Sequence, residues 1–173
     1  VLTNVSGSLR TNIKVLDPDT GIMTELNERG SAVREESVQE ICHKVCQVMD
    51  ELDEGSILTV NGSAPVGVPT DTYRRLIEEA KKRKIFTILD ASGELLRQGV
   101  KAKPELIKPN LDELQELLGR KLETVEEVAE AADELRAQGI PMVCVSMGGR
   151  GALLSVEAGV AELLLEDLSD WLC

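Results

Sequence analysis

The order of apolar and amphipathic segments along this chain constrains its fold more than any other feature. Short apolar segments alternate with longer segments whose apolar residues recur at helical spacing. The apolar segments lie at residues 56–60, 85–89, 106–107 and 142–145, and the helical ones at 35–52, 70–83, 111–118 and 124–137. Strands that alternate with helices form right-handed βαβ units. The sequence therefore predicts an α/β fold of three layers, with a mostly parallel sheet and helices on both of its faces.

Composition restricts the class of partner. The 173 residues have room for one α/β domain with a hydrophobic core. The formal charge is −12 and only three residues are aromatic, so we expect no nucleic-acid partner, which would need basic surfaces and stacking platforms. No apolar run approaches the roughly 20 residues of a membrane span, and we expect no membrane partner. The four cysteines are too few for a disulfide framework, which favours a cytoplasmic location.

The N-terminal segment predicts a β-hairpin with one polar face. Residues 9–17 and 22–26 have strand character, and the turn between them contains Pro18 and Gly21. Arg10, Asn12 and Lys14 alternate along the first strand, so they share one face. Two cations and an amide suit an anion, although a solvated face would have the same pattern.

The central stretch of residues 106–113 predicts a buried strand that ends at Pro109 and a helix that follows at once. Asn110 is a good N-cap and Glu113 stands where its capping partner belongs. With Lys108, these side chains meet where a strand's carboxyl end joins a helix N-terminus, the usual position for anionic ligands in open α/β sheets. The alternative is that Asn110 and Glu113 only cap the helix and Lys108 is solvated.

Three further strand-end loops carry polar or glycine-rich sequence, at residues 61–69, 90–93 and 146–151. Asp90 would either meet a cation or sugar hydroxyl, or cap a helix. The glycines after Ser146 would either allow a ligand to approach the backbone or form a tight turn. Cys42, His43 and Cys46 are better explained as structural residues of a helix than as a metal site, because no second ligand cluster exists.

These segments, in this order, resemble the ribokinase-like (PfkB-type) carbohydrate kinases, and within them the 1-phosphofructokinase and tagatose-6-phosphate kinase branch. The resemblance runs from about residue 7 to about residue 154 and rests on five short motifs. It implies a ribokinase-like fold in which residues 1–30 form a lid-type hairpin segment and residues 31–173 form part of the kinase core.

The resemblance also implies roles for particular residues. ATP and its phosphates would be bound by Lys108, Ser146 and Gly148, and Mg²⁺ by Asn110 and Glu113. The substrate phosphate would be bound by Arg10, Asn12, Lys14 and Asn27. The implied reaction is ATP-dependent phosphorylation of a ketohexose phosphate, of the type that converts fructose 1-phosphate to fructose 1,6-bisphosphate. The implied partners are a sugar phosphate, ATP and a second copy bound through the lid hairpin.

The departures from the family pattern concern the loop after residue 60 and the C-terminal segment. Asn61, Ala64 and Val66 differ from the usual loop sequence. The family's catalytic base belongs to a Gly-Ala-Gly-Asp motif that residues 157–173 do not contain, and its first strands would precede Val1. We therefore expect the middle of a kinase, without a catalytic residue and very weak or inactive alone. The alternative is a non-catalytic module that binds sugar phosphate or self-associates.

Overall fold

The computed structural model describes Gly7 and residues 10–28 and 30–163. The sequence of residues 166–173 predicts a short acidic helix or a frayed end, and this segment lies outside the described residues. The strands are β1 Asn12–Leu16, β2 Met23–Asn27, β3 Ile57–Asn61, β4 Phe86–Asp90, β5 Leu106–Ile107, β6 Met142–Ser146, β7 Ala152–Val156 and β8 Gly159–Leu163. The helices are α1 Glu35–Asp50, α2 Thr72–Lys82, α3 Gly93–Gly99, α4 Leu111–Leu118 and α5 Val125–Ala137. Short 3-10 turns occupy Val100–Ala102 and Gly148–Arg150.

The chain divides into two compact units. The first contains Val1–Gln47 with Ala64–Pro69, and the second contains Val48–Ser63 with Thr70–Cys173. In the first unit, β1 and β2 form the predicted antiparallel hairpin. The Val33 N–H donates to the Val66 carbonyl at 2.8 Å. A Cβ on Gly67 would lie 2.2 Å from the Val33 oxygen, so this close approach requires glycine.

The second unit contains a six-stranded sheet in the order β3-β4-β5-β6-β7-β8. The pairs from β3 to β6 are parallel, whereas β6-β7 and β7-β8 are antiparallel. The predicted mostly parallel α/β sheet and the separate hairpin are confirmed. Since the parallel strands share one direction, the loops after β3, β4, β5 and β6 lie along a single edge of the sheet.

The core of this unit packs one face of the sheet against α2, α3, α4 and α5. Its fully buried side chains include Leu89, Ile107 and Val143 from the strands and Ile77 and Leu114 from the helices. The alternate strand residues, which point to the opposite face, are mostly half-buried. None of the helices in the described ranges has the length and apolarity needed to cross a membrane.

Two local details differ from the sequence-based expectations. Helix α3 was not predicted, because seven residues are too few to show a clear helical period. The helical segment predicted over residues 35–52 ends earlier, at Asp50, so Leu52 lies beyond α1 and is exposed. The Cys42 and Cys46 side chains are half-buried.

Candidate functional site

The end of β5 lies between the ends of its two parallel neighbours. The Lys108 N–H donates to the Leu89 carbonyl of β4 at 2.9 Å. On the other side, the Ser146 N–H donates to the Pro109 carbonyl at 3.1 Å, and Asn110 forms a parallel bridge with Ser146. The backbone therefore brings Lys108, Asn110 and Ser146 to adjacent positions at the carboxyl edge of the sheet.

Helix α4 begins at this edge with a complete capping box. The Glu113 N–H donates to Asn110 Oδ1 at 2.9 Å, and the Asn110 N–H donates to Glu113 Oε2 at 2.8 Å. The predicted capping role is therefore present. It uses one of the two lone pairs of Asn110 Oδ1 and one of the two oxygens of Glu113, and no described residue hydrogen-bonds Glu113 Oε1. The capping geometry holds both side chains in place without excluding a ligand role.

Lys108 makes an ion pair with Asp90, the last residue of β4. The Lys108 Nζ lies 3.0 Å from Asp90 Oδ2, and the side chains are 46% and 37% exposed, respectively. Asp90 thus meets a cation, one of the two roles considered from the sequence. It does not cap α3, whose N-cap is Ser92. The lysine and a carboxylate share the position where a phosphate is expected.

Cys144 of β6 completes the surroundings of Lys108. Burial raises the pKa of the Cys144 thiol, and the Lys108 ammonium lowers it by a smaller amount, so the pKa lies above its ordinary value. The thiol is therefore neutral at pH 7 and leaves the lysine charge to be balanced by Asp90.

The loop after β6 forms a tight glycine turn. Gly148 has a φ of +59°, and the Met147 N–H donates to the Gly151 carbonyl at 2.8 Å. Apart from the adjoining residues, no heavy atom lies within 4 Å of the place where a Cβ of Gly148 would stand, and Gly148 is exposed to solvent. The tight turn and the accessible backbone, which were alternatives from the sequence, occur together.

The loop after β3 begins beside the same edge. The Tyr73 hydroxyl lies 3.3 Å from the carbonyl oxygens of both Asn61 and Gly62. The Gly62 N–H donates to the Asp90 carbonyl at 2.7 Å. The unusual Asn61 therefore belongs to a segment held to β4 and α2 by backbone contacts, which do not depend on its side chain.

The hairpin of the first unit carries its own polar face. Asn12 pairs in register with Asn27, and Lys14 with Glu25. The Arg10 Nε donates to Asn12 Oδ1 at 2.8 Å. The Lys14 ammonium lies 2.7 Å from Glu25, to which Asn27 also donates at 3.2 Å. The predicted residues thus share one face with the carboxylate of Glu25, which was not among the predicted residues.

Glu25 changes the electrostatics of that face. Its hydrogen bond with Lys14 is the main cause that lowers the pKa of the Glu25 carboxyl, and Asn27 adds to the effect. The carboxylate is therefore ionised at neutral pH and compensates the Lys14 charge. An anion bound on this face would have to compete with Glu25.

The residues at the edge of the sheet are chemically suited to Mg²⁺ but do not form a protein cage. Carboxylate and amide oxygens are its preferred ligands, and it usually keeps several waters and binds substrate phosphates. Glu113 Oε1 and the Asn110 side chain supply such oxygens. Within the described ranges, no group of three His, Cys, Asp or Glu side chains is arranged to hold a metal. The donor set fits a shared, phosphate-bound ion.

Two contacts of these sites were missed from the sequence. The pairing of Asp90 with Lys108 follows from the register of β4 and β5, and that of Glu25 with Lys14 from the register of the hairpin. Only the contact between Glu25 and Lys14 could have been found from the sequence, because a four-residue turn between two predicted strands fixes which residues pair. The contact between Asp90 and Lys108 depends on which strands are neighbours in the sheet.

Comparison with protein families finds one match over most of the chain. A family model described as pfkB family carbohydrate kinase matches residues 3–166. A curated relative from Bacillus subtilis (strain 168), named 1-phosphofructokinase, is 36% identical over 158 residues, covering 91% of this chain and 50% of the relative. Another of that name, from Rhodobacter capsulatus, is 36% identical over 149 residues, covering 86% of this chain and 46% of the relative. The chain thus spans about half the length of these relatives.

Solved structures agree with the fold. The tetrameric inhibited form of phosphofructokinase-2 from Escherichia coli has a TM-score of 0.81 at 31% identity, covering 92% of this chain and 52% of that one. The same enzyme in complex with fructose-6-phosphate has a TM-score of 0.78 at 32% identity, covering 88% and 50%. The resemblance inferred from the short motifs is confirmed.

Proposed function

Because the chain belongs to the pfkB family of carbohydrate kinases, we propose that it carries the nucleotide-phosphate site and a sugar-phosphate face of a ketohexose-phosphate kinase. The whole protein's reaction would transfer a phosphoryl group from ATP to a hydroxyl of the sugar, as in the conversion of fructose 1-phosphate to fructose 1,6-bisphosphate. The observation that carries the proposal is the meeting of Lys108, Asn110, Glu113 and Ser146 where β5 and β6 end beside the first turn of α4.

The residues at this edge would act by positioning and by charge. Lys108 would neutralise the phosphates of ATP, and the exposed backbone after Ser146, including Gly148, would lie against the nucleotide. The N-terminus of α4 favours negative charge in front of it. Phosphoryl transfer depends mainly on such positioning and electrostatic stabilisation.

Mg²⁺ would be held at the same edge by Glu113 and Asn110, through water. When bound, it would neutralise charge on the phosphates of ATP. The capping box prepares both side chains for this role, because each is already fixed by one hydrogen bond. The substrate phosphate would bind the polar face of the hairpin, with Arg10 and Lys14 as cations and Asn12 and Asn27 as hydrogen-bond donors.

We expect the chain by itself to bind these ligands but to turn them over very slowly. Its sequence has no Gly-Ala-Gly-Asp motif, which by family resemblance supplies the base and the anion-binding backbone. Loss of a general base costs about 10²- to 10⁴-fold, and loss of an oxyanion donor about 10²- to 10³-fold. Turnover near that of an intact family member would contradict this part of the proposal.

Isothermal titration calorimetry tests the ligand sites. We expect the chain to bind ATP in the presence of Mg²⁺ and, separately, fructose 1-phosphate. A Lys14→Met variant should lose affinity for fructose 1-phosphate but not for ATP, and a Lys108→Met variant the reverse. A folded chain that binds neither ligand would show that only the fold of the family is retained.

Self-association is a second candidate function, favoured by the other face of the hairpin. Ile13 pairs in register with Leu26, and with Val15 they form an apolar face on which every side chain is half-exposed or more. A two-stranded ribbon with such a face is marginally stable at best without a covering surface. We propose that a second copy of the chain covers it, giving a homodimer through the hairpin.

Sedimentation velocity distinguishes this candidate. Leu26→Lys places a charge on the apolar face, whereas Leu16→Lys places the same charge on the face of Lys14. We expect Leu26→Lys to shift the protein to a smaller species and Leu16→Lys to leave it associated. A wild-type chain that sediments as a monomer at tens of micromolar would contradict the homodimer.

A further inference from the structure

The Asp90–Lys108 ion pair occupies the centre of the proposed phosphate site. It joins the ends of the neighbouring strands β4 and β5, with Nζ and Oδ2 3.0 Å apart. Both side chains remain more than a third exposed, so solvent and ligands reach the pair. The pair therefore does not belong to the core, where a buried ion pair would be costly to open.

The backbone around Asp90 fixes the carboxylate more firmly than the lysine. The Asp90 carbonyl accepts the Gly62 N–H at 2.7 Å, and residue 90 is the last paired residue of β4, in register with Asn61. In its short side chain a single rotatable bond, Cα–Cβ, sets the position of the carboxylate carbon. Lys108 instead follows β5 and has a long, flexible stem. The ammonium is thus the partner that moves when the pair opens.

We propose that Asp90 is an internal competitor for Lys108: it holds the ammonium while the site is empty and yields it to an incoming phosphate. This inference rests on the proposed function, since it assigns Lys108 to a phosphate. A phosphate that binds must exchange one ion pair for another, so the carboxylate lowers the affinity of the site for simple phosphate anions. Asp90 is a positioning residue in this scheme and acts through Lys108.

The neighbouring charges support a specific exchange. The Glu113 carboxylate is tied to the Asn110 N–H, and the neutral Cys144 thiol offers Lys108 no counter-charge. Asp112, in the first turn of α4, interacts with Gln115 and makes no ion pair with Lys108. Removing the Asp112 charge therefore changes the local potential without releasing the lysine, which provides a matched control.

Calorimetry with inorganic pyrophosphate, without metal and at low salt, measures the competition. We expect Asp90→Asn to bind pyrophosphate about two- to fivefold more tightly than the wild type, the factor typical of an exposed ion pair. Asp112→Asn should give a smaller gain, and Asp90→Glu should stay near the wild type because it retains the charge. In a Lys108→Met background the gain from Asp90→Asn should vanish.

The failures of the two proposals are distinguishable. If the wild type binds pyrophosphate and Asp90→Asn gives no gain, or a gain that persists in Lys108→Met, then Asp90 does not act through the lysine. If no folded variant binds pyrophosphate, the phosphate site itself is absent and the proposed function fails with it. Amine labelling provides a ligand-free measurement: Lys108 should be acylated several-fold faster in Asp90→Asn, and an unchanged rate would contradict the internal competitor.

Discussion

Helices α4 and α5 begin with the same hydrogen-bonded motif in different surroundings. Asn110 and Glu113 form the capping box of α4, and Thr124 and Glu127 form that of α5. Both boxes contain the two reciprocal hydrogen bonds. Only the first follows directly from a parallel strand, with Lys108 and the Ser146 loop beside it.

The difference shows that the capping box by itself does not define a ligand site. The box of α5 follows a loop instead of a strand, and Glu127 there also accepts the Glu123 N–H at 2.6 Å and lies near the Arg120 guanidinium. The box of α4 has the same reciprocal hydrogen bonds, but the topology of the sheet places Lys108 and an open glycine turn from neighbouring strand ends beside it. The proposed function belongs to the neighbourhood that the parallel strands create.

The largest expected effect comes from removing each box in turn. Asn110→Ala/Glu113→Ala and Thr124→Ala/Glu127→Ala should each lower the free energy of unfolding by about 1–2 kcal/mol, because each loses a helix cap. Only the first should weaken ATP binding in Mg²⁺, by about tenfold or more, since charge-assisted contacts are lost as well. Urea unfolding and calorimetry check the two quantities. Equal losses of affinity in both variants would remove the distinction between the boxes.

The lysines that precede the two boxes provide a second comparison. Lys108 stands two residues before Asn110, and Lys121 three residues before Thr124. Lys108→Met should reduce affinity for ATP about three- to tenfold, whereas Lys121→Met should leave it unchanged within error. Calorimetry at two salt concentrations measures both, and the effect of Lys108→Met should shrink at high salt. An equal loss of ATP affinity in Lys121→Met would indicate that the effect of Lys108→Met comes from the change in net charge alone.

A carboxylate at the opposite end of β4 and β5 extends the comparison to stability. Glu105 accepts hydrogen bonds from the Thr87 N–H at 2.9 Å and from its hydroxyl at 2.5 Å, and pairs with Lys81. Burial raises the pKa of the Glu105 carboxyl, but the contacts with Thr87 and Lys81 outweigh it and hold the pKa below its usual value. Glu105→Gln should lower the free energy of unfolding by about 1 kcal/mol and leave ATP affinity unchanged.

The pH dependence of that variant follows from the direction of the shift. A carboxyl whose pKa is lower in the folded state adds stability above its unfolded value, near 4.5, and loses it as pH falls through the folded pKa. The stability difference between the wild type and Glu105→Gln should therefore be constant near pH 7 and shrink below pH 4.5. A difference that grows on acidification would contradict this assignment.

The smallest effect concerns Glu127 in the box of α5. Hydrogen bonds from the N–H groups of Glu123 and Thr124 hold the pKa of the Glu127 carboxyl below its usual value. The urea midpoints of the wild type and Glu127→Gln should therefore converge as pH falls below 4.5. Because this group is exposed, the difference should be smaller than that for Glu105→Gln. A larger difference in midpoint for Glu127→Gln than for Glu105→Gln would mean that Glu127 has stabilising interactions beyond the helix cap.

Much of the fold was predictable because its signals are local. The two capping boxes, the turn after β6 and the alternation of strands and helices can be read within windows of a few residues. The order of these parts along the chain carried the family resemblance. Helix α3 was missed because it is too short to show a helical period, and two of its seven residues are glycines, at positions 93 and 99.

The predicted site was incomplete for a different reason. Its members Lys108, Asn110 and Glu113 lie within six residues and were found from sequence. The contact between Lys108 and Asp90 joins two strands across 18 positions and depends on their pairing in space. Such a contact follows from topology and register, which local patterns do not determine.

The most direct test of the account is an amide chemical-shift titration of the chain with ATP and Mg²⁺. We expect the largest shifts at Lys108, Glu113, Ser146 and Gly148, and none at Thr124 and Glu127, where the same capping geometry lacks the strand edge. Shifts of similar size at both boxes, or shifts confined to residues away from the end of β5, would contradict the central claim.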